Sequence, residues 1–210
     1  RSLDGDKGLN TGGMGAYSPA PIVTDDVEKK IRSEIVEPLL YGMKEEGNPF
    51  VGFLYVGLMI KDGHPRVVEI NARFGDPETQ PIMMRLKSDL VELCDAAIDG
   101  NLNEKSVEID PRAAMCVVMA SDGYPEQYET GHEISGLTAA SILENTKVFH
   151  AGTAEMNGRI VTAGGRVLGV TALGATISDA QKSSYNAVKK ITWKDVHFRT
   201  DIGWRAINGN

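Results

Sequence analysis

Only two cysteines, Cys94 and Cys116, occur among the 210 residues. They lie far apart, with no CxxC pattern and no histidine at zinc-finger spacing, which excludes a disulfide scaffold and a thiolate metal site. Two reduced, buried thiols are the expectation. No run of 18 apolar residues is present, so no membrane-spanning helix is expected, and no secretory leader is recognisable. Basic residues are outnumbered: 22 Lys and Arg stand against 29 Asp and Glu, a formal charge of −7. This balance excludes a protein that coats nucleic acid or an anionic membrane, either of which needs a basic face. A phosphate-bearing small molecule stays open, because a few local donors can hold one. Repeats and low-complexity segments are also lacking.

What is present matches a globular chain, with 41% hydrophobic and 24% charged residues. A chain of this length buries roughly two-thirds or more of its unfolded surface. It opens on Arg1 and a polar, glycine-rich run to Gly15 rather than on Met, and is expected to be part of a longer polypeptide. Val27, Ile31, Ile35, Leu39 and Met43 recur every fourth position and predict an amphipathic helix from Asp25 to about Glu46. Asp25 with Glu28 reads as its capping box, Gly47 as its stop, and Pro38 as a kink. The apolar runs 51–60 and 65–71 flank Asp62-Gly63, a hairpin signal. Residues 77–100 read as helical in two pieces meeting near Ser88. Short β-rich runs follow at 113–121, 147–155, 159–164 and 166–174, then a helix over 178–190. The change in character places a domain boundary near residue 109.

Three segments carry chemistry. In Val67-Val68-Glu69-Ile70-Asn71-Ala72-Arg73, alternation on a strand puts Glu69 and Asn71 on one face, neighbours about 6.7 Å apart, with Val68 and Ile70 turned into the core. Arg73 shares the polar face if the extended form persists. A carboxylate and an amide oxygen suit Mg²⁺, and a guanidinium neutralises charge on a transferring phosphoryl group. A half-exposed strand would give the same alternation. In Gly75-Asp76-Pro77-Glu78, Pro77 fits the first position of a helix, and Asp76 and Glu78 read as holders of an ammonium or amine; a plain N-cap aspartate with an acidic first turn reads equally well. The loop Asn10-Thr11-Gly12-Gly13-Met14-Gly15 lacks a preceding strand and has the wrong glycine spacing for a dinucleotide fingerprint. It suits an anion nest or a simple flexible loop. His64, His132, His150 and His197 show no ligand spacing and are expected to be structural or solvated. Trp193 and Trp204 are expected to pack the second domain.

Taken together, GLNTGGMGAYSPAP (8–21), VGFLYVGLMI (51–60), VVEINARFGDPETQPIM (67–83) and RLKSDLVELC (85–94) resemble the glycinamide ribonucleotide synthetases of the ATP-grasp superfamily. The similarity continues through GGRVLGVTALG (164–174) and DIGWRAI (201–207). It implies an α+β chain: residues 1–109 as the C-terminal portion of an ATP-grasp catalytic domain, an antiparallel sheet with helices, and 110–210 as a smaller β-rich domain. It implies ligation of glycine to 5-phosphoribosylamine with ATP, through a glycyl phosphate, in the cytoplasm. On this resemblance Glu69 and Asn71 are metal ligands for Mg²⁺ or Mn²⁺, and Arg73 stabilises the phosphoryl group. Asp76 and Glu78 hold substrate amines. Asn10, Thr11, Gly12, Gly13, Met14 and Gly15 line the acceptor pocket, and Arg166 reaches the ribose phosphate; a hairpin turn with a solvated arginine is the plainer reading of Gly164-Gly165-Arg166. Ile70 and Ala72 stand where the family often has Phe and Cys, and Leu9 where Pro is common. The N-terminal and lid domains that family members carry are missing from this chain, so it is expected to bind ATP weakly and not to turn over alone. Two rivals remain: another ATP-grasp carboxylate–amine ligase, or a non-catalytic binding module.

Overall fold

Strand β4 (Ala113–Ser121) contains nine residues, every one buried. A near-continuous apolar strand of this kind is covered on both faces, and the computed structural model, which describes residues 1–209, supplies both covers. From one face Ser184 of helix α6 (Ile177–Val188) donates its hydroxyl to the Met115 carbonyl at 2.8 Å. The opposite face carries Cys116, beside Gln80 of helix α3 (Thr79–Arg85) across the bare backbone of Gly169. Strand β8 (Arg166–Gly174) pairs antiparallel with β4, setting Val170 opposite Val117. The sheet runs β1-β4-β8-β5, with β1 at Gly15–Ser18 and β5 at Thr146–His150, and the short β9 (Val196–His197) also joins β4. A hairpin of β6 (Thr153–Met156) and β7 (Arg159–Thr162) turns at Asn157-Gly158, both at positive φ. The run expected over 147–155 is thus broken into β5 and β6. Gly152 sits at the break, where a Cβ would lie 2.7 Å from both the Arg166 carbonyl oxygen and Gly164 Cα.

This sheet belongs to a compact unit assembled from residues 1–19, 76–86 and 110–210; a second unit comprises 20–75 and 87–109. A division by compactness therefore crosses the chain several times, one crossing falling at 109–110. Around the first unit's core lie Trp193, Ile191 and Val188, with α5 (Leu137–Ser141) and α7 (Trp204–Asn208) completing its helices. Cys116 is buried as expected, whereas Cys94, in the second unit, is only half-buried.

The second unit holds α1 (Asp25–Lys30), a π-helical stretch at Ile31–Val36, α2 (Glu37–Glu45), the hairpin β2 (Tyr55–Lys61) and β3 (His64–Asn71), and α4 (Leu90–Ile98). The helical expectation for 25–46 holds, but its cap is Thr24, whose hydroxyl accepts from the Val27 N–H, rather than an Asp25–Glu28 box. Pro38 falls in the first turn of α2, directly after the widened stretch; its missing N–H and ring are accommodated there instead of by a sharp kink. Asp62 and Gly63, at φ 51° and 70°, make the turn between β2 and β3. Asp89 caps α4 by accepting from the Val91 and Glu92 N–H groups. Pro77 does not open a helix: α3 begins at Thr79, after Glu78, so Asp76 is not its cap. Val68 and Ile70 are 67% and 44% exposed, overturning their expected burial. The reason is that β2 and β3 form a two-stranded ribbon, with no third strand beside it among the described residues. No described helix is long and apolar enough to cross a membrane.

Candidate active site

The sequence-predicted residues fall into two groups, one in each unit. In the first unit the loop before β1 is clamped by the start of β8. Arg166 Nη1 donates to the carbonyls of Gly12 at 2.8 Å, Asp76 at 3.0 Å and Gly13 at 3.2 Å, and Nη2 donates to Asp76 Oδ2 at 2.7 Å. Asn10 is exposed, while Thr11 Oγ1 accepts from the Gly13 N–H at 3.0 Å. Met14 is buried in the hydrophobic core, and its carbonyl accepts from the Val118 N–H. The glycines are sterically required. A Cβ on Gly12 would stand 2.9 Å from Arg166 Nη2, one on Gly13 2.6 Å from Pro77 Cδ, and one on Gly15 2.7 Å from the Cys116 carbonyl. Gly13 also has φ of +110°. The loop is therefore a fixed feature of the first unit, packed against the Asp76-Pro77 segment. Asp76 is half exposed and Glu78 precedes α3.

Beneath this loop, burial pushes the Cys116 thiol up to about 12, so it is no nucleophile near neutral pH. Of the four histidines, His64 is exposed and the other three meet protein groups, in line with structural or solvated roles. His197 Nε2 meets the Ser2 carbonyl at 2.7 Å, His132 pairs with Glu129, and His150 meets Thr153.

In the second unit, Glu69 and Asn71 lie two apart on β3, opposite Gly57 and Tyr55. Glu69 is exposed, and the buried Asn71 Nδ2 has no hydrogen-bond partner among the described residues. The extended form ends at Asn71, so Arg73 does not continue the strand's face; its Nη1 donates to the Phe74 carbonyl at 2.8 Å, and Phe74 stacks on Phe53. No cluster of three or more His, Cys, Asp or Glu side chains gathers at metal-binding distance among the described residues.

Two residues escaped the sequence reading. Tyr124 accepts the Gly12 N–H on its hydroxyl at 3.3 Å, from 112 residues away; only the flanking Gly123 and Pro125 mark that segment, as a turn. Gly57 leaves room for Glu69, whose Cγ would lie 2.9 Å from a Cβ at that position; an isolated glycine inside a strand pattern is the signal.

Two family models match most of the chain: phosphoribosylglycinamide synthetase, ATP-grasp (A) domain, over residues 1–79, and its C domain over residues 114–205. The phosphoribosylamine--glycine ligase of Escherichia coli O157:H7 is 58% identical over 206 residues, covering 97% of this chain and 48% of the relative. That of Vibrio parahaemolyticus is 57% identical over 205 residues, with the same coverage. The crystal structure of phosphoribosylamine--glycine ligase from Thermotoga maritima superposes with a TM-score of 0.84 at 38% identity, over 96% of this chain and 49% of that one. The K. lactis urea amidolyase, at 14% identity and a TM-score of 0.62, covers 94% of this chain and 12% of its own, and shares the fold alone. The chain spans about half the length of the curated relatives it matches, and with both of its halves matched by domains of one enzyme family, it belongs to the phosphoribosylglycinamide synthetases.

Proposed function

We propose that this chain is part of an ATP-dependent ligase joining glycine to 5-phosphoribosylamine, with glycinamide ribonucleotide, ADP and phosphate as products. A glycine carboxylate oxygen takes the γ-phosphoryl group of ATP, releasing ADP; the amine of phosphoribosylamine then attacks the acyl carbon, forming the C–N bond as phosphate leaves. The observation that carries this reading is the joint match to the A and C domains of one ligase family. The rigid Gly12–Gly13 loop with its Arg166–Asp76 pair supports it, as a preorganised pocket wall.

In this reading Asp76 and Glu78 hold the substrate amines, Asn10 to Gly15 line the acceptor pocket, and Arg166 orients that wall. Its Nη atoms already serve protein acceptors, so the ribose phosphate is met through Nε or by displacing the Asp76 carboxylate. Arg73 stabilises charge on the transferring phosphoryl group and on the tetrahedral intermediate. Glu69 and Asn71 would hold Mg²⁺ or Mn²⁺. The fit rests on their hard oxygen donors and on the exposure of Glu69; the unpartnered Asn71 Nδ2 is an N–H donor, which suits a phosphate oxygen rather than the ion. The ion would neutralise charge on the ATP phosphates. Two protein ligands suffice where phosphate oxygens and water complete the shell. A cytoplasmic location goes with the same reading, since that compartment supplies ATP and keeps Cys94 and Cys116 reduced.

The test is an assay of the complete encoded polypeptide for ADP release that needs both glycine and 5-phosphoribosylamine. ADP release indifferent to either would sink the ligase reading. The 210-residue chain alone should not turn over, because phosphoryl transfer depends on positioning by parts that the family's members carry beyond these residues. Ligase activity at the level of the complete polypeptide would overturn that expectation.

A further inference from the structure

Residue Gly12 is gripped on both sides of its Cα: its N–H, in the Thr11–Gly12 peptide, donates to the Tyr124 hydroxyl at 3.3 Å, and its carbonyl, in the Gly12–Gly13 peptide, accepts from Arg166 Nη1 at 2.8 Å. The same two side chains account for two glycines. A Cβ on Gly12 would collide with the Arg166 guanidinium, and a Cβ on Gly165 would stand 2.3 Å from the Tyr124 ring at Cδ2. Tyr124 therefore lies over the bare backbone of Gly165, one residue before Arg166. Ser121 reinforces this arrangement, since its N–H donates to the Gly165 carbonyl and its hydroxyl to that of Gly164. Tyr128 supports the ring in turn, with centroids 6.3 Å apart. Arg166 also donates to the Gly13 carbonyl and to the backbone and carboxylate of Asp76. One phenol and one guanidinium thus lock three segments distant in sequence: the glycine loop, Asp76 and the start of β8. Each side chain holds one of the two peptide planes that meet at the Gly12 Cα, and a glycine there leaves both dihedrals free, so both bonds are needed to fix the loop's course.

We propose that Tyr124 is a positioning residue which, holding the peptide before Gly12 as Arg166 holds the one after it, sets the orientation of the glycine loop and hence of the pocket wall beside Asp76. The proposal rests on the reading of that loop as part of the acceptor pocket, so Tyr124 governs the binding of the amine acceptor and not of ATP or glycine. Its ring fills space over Gly165 and its hydroxyl does the positioning, so the two contributions are separable by substitution.

In the complete encoded polypeptide, Tyr124→Phe keeps the ring and removes the hydroxyl. Hydrogen exchange over the peptide holding Gly12 and Gly13 should speed up by about five-fold, the share of one modest hydrogen bond. The Val118 amide, which donates to Met14, should not change. The KM for 5-phosphoribosylamine should rise about five-fold while kcat and the KM for ATP stay within about two-fold. Gly165→Ala, which displaces the ring, should reproduce both effects. Unchanged exchange at Gly12 and Gly13 in Tyr124→Phe overturns the positioning role. Faster exchange with an unaltered acceptor KM supports the clasp but overturns the placement of the loop in the acceptor pocket.

Discussion

At Gly57 a hydrogen atom stands where a methyl group would press on the Glu69 stem. Gly57→Ala should therefore raise the Mg²⁺ concentration needed for half-maximal activity of the complete polypeptide, as Glu69→Gln should more strongly; an unchanged Mg²⁺ dependence in Glu69→Gln removes it as a ligand. Arg73→Ala should lower kcat by roughly 10²–10³ if the guanidinium stabilises transition-state charge, whereas an effect confined to KM means equal binding of ground and transition states. Individual residues were unevenly legible. The alternation on 67–71 correctly set Glu69 and Asn71 two apart on a strand, because register within a strand is a local property. Val68 and Ile70 are exposed against expectation, since alternation cannot say whether a covering layer exists. The Arg166–Asp76 bond could not be read at all: its partners are 90 residues apart and only folding brings them together.

Elements show the same division between local and distant causes. The β2–β3 hairpin follows from Asp62-Gly63, and the cap of α4 from Asp89, each within a few residues. Strand β1 was missed because its four residues carry little pattern and its partner β4 lies about a hundred residues further on. The N-terminal segment is likewise held by remote residues. Arg199, itself buried, bonds both carboxylate oxygens of Asp201 and one of Asp6, and its Nη1 reaches the Arg1 carbonyl. Asp4 bonds Thr200 through both backbone and hydroxyl. The hydrogen bond from Arg199 holds the Asp201 carboxyl down to about 2. A depressed carboxyl contributes stability above its ordinary value near 3.8 and loses it as pH falls through its folded value. In urea titrations, the gap between wild type and Asp201→Asn should be largest above about pH 4 and shrink toward pH 2. A gap constant over that range would remove the ion pair as its cause.

On the scale of the whole chain, burial is concentrated in one unit. All nine residues of β4 are buried, and so are seven of the nine in β8, while none of the residues of β2 or β3 is. Amide hydrogens of β4 and β8 should outlast those of β2 and β3 in native exchange, and limited proteolysis should cut first within 20–75; equal protection of the two hairpin strands would contradict this. Residues 51, 53, 90, 93, 94, 97, 98, 102 and 107 line an apolar cavity of about 500 Å³ in the second unit, which fits that lower protection.

The first unit's patchwork of segments has a further consequence. Because β1 (Gly15–Ser18) pairs along one side of β4, a break in the chain between residues 109 and 110 would separate a strand from the sheet it borders. The downstream piece would keep β9 against Ala120 and Ser121 but expose the bonding groups of Ala114 to Val117 that β1 matches in register, and such an edge invites the addition of a compatible strand. The two pieces, produced separately and mixed, should therefore reassemble by donor-strand complementation, with the glycine loop arriving on the returning strand.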